Sequence, residues 1–105
     1  MSIKYQYDAL SKTLELKISG RLDFVSHNSF SEAYQSQPSE LVDKYILDMS
    51  ELTYLDSSAL GMLLLLKDYA LKKATISIIN CSSDVNKIFE NANFNQLFTI
   101  NSLTV

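Results

Sequence analysis

The chain has 105 residues, a formal net charge of −3 and one cysteine, Cys81. Its composition, 47% hydrophobic and 20% charged, suits one globular domain around a single core, spanning 1–105, and excludes a disordered chain. The acidic balance argues against a nucleic-acid partner, since the nine basic residues form no stripe and Lys72-Lys73 is the only adjacent pair.

Ile3, Tyr5 and Tyr7 alternate with polar residues, as do Leu14, Leu16 and Ile18, which predicts two half-buried strands joined by a turn over Asp8 to Lys12. Gly20 should end the second strand, with Arg21-Leu22-Asp23-Phe24 as a loop and Ser26 as a helix cap. Phe30, Ala33 and Tyr34 then fall at helical spacing, and Pro38 stops that helix or lies just past it. Tyr45-Ile46-Leu47 with Met49 reads as a strand covered on both faces. Ser50 to Leu55 connects it to a helix from Ser57 to about Lys73. A short strand follows over Thr75 to Ile79. Val85, Ile88, Phe89 and Ala92 mark the core face of a last helix, capped by Ser83 or Asp84 and ended by Asn91 and Asn93. Leu97 to Ile100 is the final edge strand. The fold class is therefore α/β: a mixed sheet of four to five strands, an N-terminal antiparallel hairpin, then βαβ crossovers with helices packed on the sheet.

The segment Asp56-Ser57-Ser58-Ala59-Leu60-Gly61 holds one of only two glycines and sits at a strand-to-helix junction. It places a carboxylate and two hydroxyls where backbone N–H groups are unpaired and the helix dipole is positive. Such a serine is either a cap or a phosphoryl acceptor. At about 100° per residue, Ala59, Met62, Leu63, Leu66 and Ala70 form the core side of this helix. Ser57, Gly61, Leu64, Leu65, Asp68 and Lys72 fall on the solvent side, with Ser58 between. Leu64 and Leu65 are either covered by a neighbouring loop or part of a docking patch around a reactive hydroxyl. Asp56 is an N-cap, or a group that orients the hydroxyl beside it.

Catalysis and cofactors find little support. No Gly-x-Ser-x-Gly segment exists, and the single histidine, His27, reads as a surface residue. One histidine, one cysteine and scattered carboxylates make no metal site, and two glycines make no phosphate loop. Cys81 excludes an internal disulfide, fits a reducing compartment and reads as a small buried hydrophobe. Met62 to Leu66 is too short to cross a bilayer, and Met1 to Lys4 lacks the apolar run of a signal peptide. The expectation is a cytoplasmic, non-enzymatic protein without cofactor, metal or direct membrane insertion.

Three segments carry a family resemblance: Gly20-Arg21-Leu22-Asp23, Ile46-Leu47-Asp48-Met49 leading into Leu55 to Gly61, and Asn93-Phe94-Asn95-Gln96-Leu97-Phe98. Together they resemble the STAS domain, and within it the bacterial anti-sigma factor antagonists, over nearly the whole chain. The resemblance implies a phosphoprotein of signal transduction and transcription regulation that works by partner switching. A GHKL-type serine kinase, itself an anti-sigma factor, would phosphorylate the serine after the aspartate, here Ser57, with Ser58 the lesser candidate. The unphosphorylated form would bind and sequester that kinase, and a PP2C-type serine phosphatase would reset the switch. Asp23 matches the aspartate of the loop beside the phosphorylation site, and Asp56 the acid of the motif.

The chain departs from the family pattern where Ala59 replaces a usual glycine and where Arg21 stands at a position often acidic. It also ends at Val105, before the C-terminal helix of many members. The partner-binding surface expected from helix face and resemblance together is Asp23, Asp56, Ser57, Ser58, Gly61, Leu64, Leu65 and Asp68. A second reading is a fixed STAS-type subunit docking on the ATPase of a lipid-trafficking ABC transporter.

Overall fold

Two alternating segments and a short turn build the opening hairpin. In the computed structural model, which describes residues 2–102, β1 (Ser2–Asp8) pairs antiparallel with β2 (Thr13–Leu22), from Ser2↔Ser19 to Asp8↔Thr13. The Asp8 carboxylate accepts from the Leu10 amide and the Ser11 hydroxyl, and Lys12 adopts a φ of 51° to close the turn. Next come α1 (His27–Tyr34), β3 (Lys44–Leu55), α2 (Ser57–Tyr69), β4 (Thr75–Cys81), α3 (Ser83–Asn91) and β5 (Thr99–Ser102). The strands lie in the order β1-β2-β3-β4-β5, parallel from β2 to β5. The anticipated hairpin, mixed sheet and βαβ crossovers are all present. Met1 and residues 103–105, which hold the expected limits of the domain, lie outside the described residues.

Sequential strand order combined with right-handed crossovers puts the helices on one face of the sheet. The register agrees. Leu14↔Tyr45, Leu16↔Leu47, Tyr45↔Ile76 and Leu47↔Ile78 align buried side chains on that face. Their neighbours Glu15, Lys17, Ile46, Asp48, Ser77 and Ile79 point the other way and keep contact with solvent. The β3 strand is thus covered on one face, not two as its apolar run suggested. Phe30 and Tyr34 of α1 join Tyr69 of α2 in an edge-to-face aromatic row, and the Tyr69 hydroxyl donates to the Gln37 carbonyl at 2.9 Å. Burial pushes the Tyr45 phenol up to about 12, and its hydroxyl is enclosed without a partner among the described residues. Cys81 is fully buried and free, its thiol pushed up to about 11 by burial, as expected of a small core hydrophobe.

Several boundaries differ from the sequence expectation. The β2 strand does not stop at Gly20; it runs on through Arg21 and Leu22, and Gly20, at a φ of 86°, sits where the β2–β3 register slips. Ser50 to Leu55 is strand, not connector, because Ser19↔Glu51, Gly20↔Leu52 and Leu22↔Leu55 keep β3 paired to its end. The α2 helix ends at Tyr69 rather than near Lys73. The chain must turn there, through an Ala74 N–H to Leu71 carbonyl bond, to bring Thr75 level with Lys44. Ser82, not Ser83 or Asp84, caps α3 by accepting from the Val85 amide. Val85 and Phe89 of α3 are buried, whereas Ile88 and Ala92 are exposed. Asn93 takes the left-handed conformation (φ 59°) but Asn91 stays helical, and β5 begins at Thr99, after Leu97 and Phe98.

Candidate functional site

The site forms where β2 and β3 end side by side. The last register pair is Leu22↔Leu55, both buried, so each chain leaves the sheet at the same level through an aspartate. Asp56 is extended (φ −122°, ψ −174°), and its Oδ1 accepts from the Ala59 amide at 3.1 Å, capping α2. The Ser58 hydroxyl donates to the same oxygen at 2.6 Å. That Ser58 bond, aided by the Ala59 amide, outweighs partial desolvation and holds the Asp56 carboxyl below the usual carboxylate range. Asp56 is therefore a cap, and its acceptor is already engaged by Ser58. Ser57, the first helical residue, stays exposed, with no hydrogen bond tying its hydroxyl down among the described residues.

The second aspartate builds a matching turn. Asp23 is also extended, and its Oδ1 accepts from the Val25 amide at 3.1 Å while the Ser26 hydroxyl oxygen accepts from the Asp23 amide at 3.3 Å, closing a capping box. Ser26, expected to cap α1, is instead buried and gives its side chain to this box and to the Arg21 carbonyl. The turn pushes Phe24 and Val25 outward, 79% and 87% exposed. On the flank, the Arg21 Nε stands 3.5 Å from Asp23 Oδ2 and its guanidinium carbon 4.2 Å from the Tyr54 ring centre.

The other expected residues spread along α2. Gly61, Leu64, Leu65 and Asp68 are all exposed on the stripe that begins at Ser57, so among the described residues no loop covers the two leucines. Leu64 and Asp68 also line a groove of 720 Å³ against Leu97 and Phe98, about two helical turns from the serine. The structure thus gathers Asp23, Asp56, Ser57 and Ser58 at one rim and sets Leu64 and Asp68 apart from it. His27 opens α1 on the surface.

Sequence reasoning missed Phe24, Val25 and Tyr54. Phe24 and Val25 are an apolar pair between two hydrogen-bonding residues, a signal hidden because single exposed hydrophobics are common. Tyr54 was hidden inside the segment read as a connector. Among the described residues, no group of three His, Cys, Asp or Glu side chains could hold a metal ion, and no helix is long and apolar enough to cross a membrane.

The STAS domain family description matches residues 4–104. The chain belongs to that family. A STAS-domain containing protein of Pseudomonas aeruginosa (strain UCBPP-PA14) is 46% identical over 101 residues, covering 95% of this chain and 99% of that one. Among solved structures, an anti-sigma factor antagonist from Mycobacterium paratuberculosis superposes with a TM-score of 0.80 at 15% identity, over 95% of this chain and 86% of that chain. The anti-sigma factor antagonist SpoIIAA in its unphosphorylated form gives 0.72 at 16% identity, over 99% and 90%. Bacillus SpoIIAA in the phosphorylated form gives 0.65 at 17%, over 94% and 90%. At these identities the structural matches establish a shared SpoIIAA-like fold for this STAS domain.

Proposed function

We propose that this STAS domain is an anti-sigma factor antagonist, a protein-binding module switched by phosphorylation of Ser57. The observation that carries the reading is the exposed, unengaged Ser57 hydroxyl at the first turn of α2, beside a neighbour already bound to Asp56. Ser57 is the acceptor and Ser58 the lesser candidate, because the Ser58 hydroxyl is half-buried and committed to the cap.

Unmodified, the rim of Asp23, Asp56, Ser57, Ser58 and Gly61, continued by Leu64, Leu65 and Asp68, binds a GHKL-type serine kinase acting as the anti-sigma factor. Phosphate adds about −1.5 to −2 charges and three acceptor oxygens. The helix N-terminus tolerates that charge, so the fold persists, and the solved structures of SpoIIAA in both forms support this. A partner surface fitted to a neutral hydroxyl has to desolvate the dianion, which weakens binding. A PP2C-type phosphatase restores the free hydroxyl, in the cytoplasm of a bacterium.

The test is capture of partners by Ser57→Ala and Ser57→Asp proteins from the native cell, with thermal midpoints measured alongside. Ser57→Ala should retain a GHKL-type kinase and Ser57→Asp should lose it, at nearly equal midpoints. Equal capture by the two variants, or capture of an ABC ATPase by both, contradicts the proposal.

A further inference from the structure

We infer that Arg21 is the phosphate-receiving side chain of this site, a residue that leaves Asp23 and Tyr54 for the phosphoryl group on Ser57; the inference rests on the phosphorylation reading above. Three placements support it. First, Arg21↔Tyr54 and Leu22↔Leu55 are the last pairs of β2 and β3, so Arg21 stands across from the stretch that leads into Ser57. Adjacent strands lie about 4.8 Å apart. Second, the guanidinium already meets one of the rim's own residues, with Nε 3.5 Å from the carboxylate of Asp23, which leaves the sheet level with Asp56. Third, its present contacts are easily given up. The Arg21 side chain is 63% exposed, it meets Asp23 through one nitrogen, and the Tyr54 stack is open to water.

A phosphoserine offers that planar donor fork more charge and more acceptors than one carboxylate does, and bidentate pairing suits arginine. The neighbouring cations are placed differently. Lys17 is paired with Glu51 at 3.3 Å further back along the sheet, and Lys67 and Lys72 line the groove at the far end of α2. His27, exposed at the start of α1, is the other basic side chain of this segment. The transfer has a consequence for docking. Asp23 becomes an uncompensated carboxylate and the Tyr54 ring loses its cover, so the rim changes at Arg21, Asp23 and Tyr54 as well as at Ser57.

The experiment places phosphoserine at position 57 during translation, which requires neither kinase nor partner, and follows the phosphate by ³¹P NMR from pH 4 to 8. Arg21→Gln should raise the second phosphate pKa by about half a unit or more over the parent protein. Arg21→Lys, which keeps charge but loses the fork, should fall between them, and His27→Ala should match the parent. Identical titrations of the parent and Arg21→Gln proteins, or a shift found only in His27→Ala, would overturn the inference. Because the readout involves no partner, a shift seen alongside Ser57-independent partner binding would sink the proposed function and leave Arg21 standing. The converse pair of results would do the opposite.

Discussion

Asp56 and Ser58 show how one side chain decides what its neighbour can do. A single oxygen of Asp56 accepts from both the Ala59 amide and the Ser58 hydroxyl, so the cap and the second serine form one unit. That leaves Ser57 as the free hydroxyl. The same arrangement makes stability depend on pH. The Asp56 carboxyl lies below its ordinary range, mainly through the Ser58 bond. Asp48 lies low as well: partial burial raises it, but the Ser50 amide and the Asn80 side chain outweigh that. A carboxyl whose folded pKa is depressed contributes its full stability above the unfolded value, near 4, and loses it as pH falls through the folded value. The thermal midpoint should therefore hold from neutral to about pH 5 and fall below about pH 4. Ser58→Ala should sit below the parent at neutral pH and converge with it in acid, as read by a thermal melt at each pH. A constant offset at every pH would show that the Ser58 bond is not coupled to Asp56 ionisation. The role of Asp56 as a cap could be read from its position before an apolar period. The Ser58 bond could not, because two adjacent serines at a helix start have equal prior claim to the carboxylate.

Within α2, the solvent stripe of Ser57, Gly61, Leu64, Leu65 and Asp68 was legible from a 100° turn per residue, because a thirteen-residue helix gives that period room to register. Its end at Tyr69 was not. Leu71-Lys72-Lys73 continues the helical pattern, but the parallel register requires Thr75 opposite Lys44, and the crossover has to stop early. The Ser50 to Leu55 half of β3 was hidden for a related reason. Its buried residues Met49, Leu52 and Leu55 fall at a spacing of three, which the slipped β2–β3 register permits and simple alternation does not. Gly61 offers a test at this scale. A Cβ added there meets nothing within 4 Å among the described residues, so no packed neighbour among them requires glycine. Gly61→Ala should stabilise the protein by about 1 kcal/mol in denaturant unfolding, since glycine is costly inside a helix. If a partner grips this stripe, the same variant should capture less of it. A stabilised variant with undiminished capture would remove Gly61 from the docking surface.

For the molecule as a whole, strand order determines where function can sit. Three right-handed crossovers in sequence place all the helices on one face, and the C-terminal ends of the parallel strands bring the β2 and β3 exits together at one rim. The hairpin and the alternation of strands and helices were enough to anticipate the mixed sheet, but not the single helical face, because the apolar run of β3 reads as a strand covered on both sides. The neighbouring turn at Asp23 to Ser26 was not, because its capping box depends on a strand that runs two residues past Gly20. The molecule therefore presents Ser57 on a scaffold whose core lies beneath the rim, and a charge added there alters the surface more than the packing. The most direct test is intact-mass measurement and peptide mapping of the protein isolated from its native cell. The expected result is a species heavier by one phosphoryl group, localised to Ser57. A native population with no such species under any growth condition, or with the group on a residue away from this rim, would contradict it.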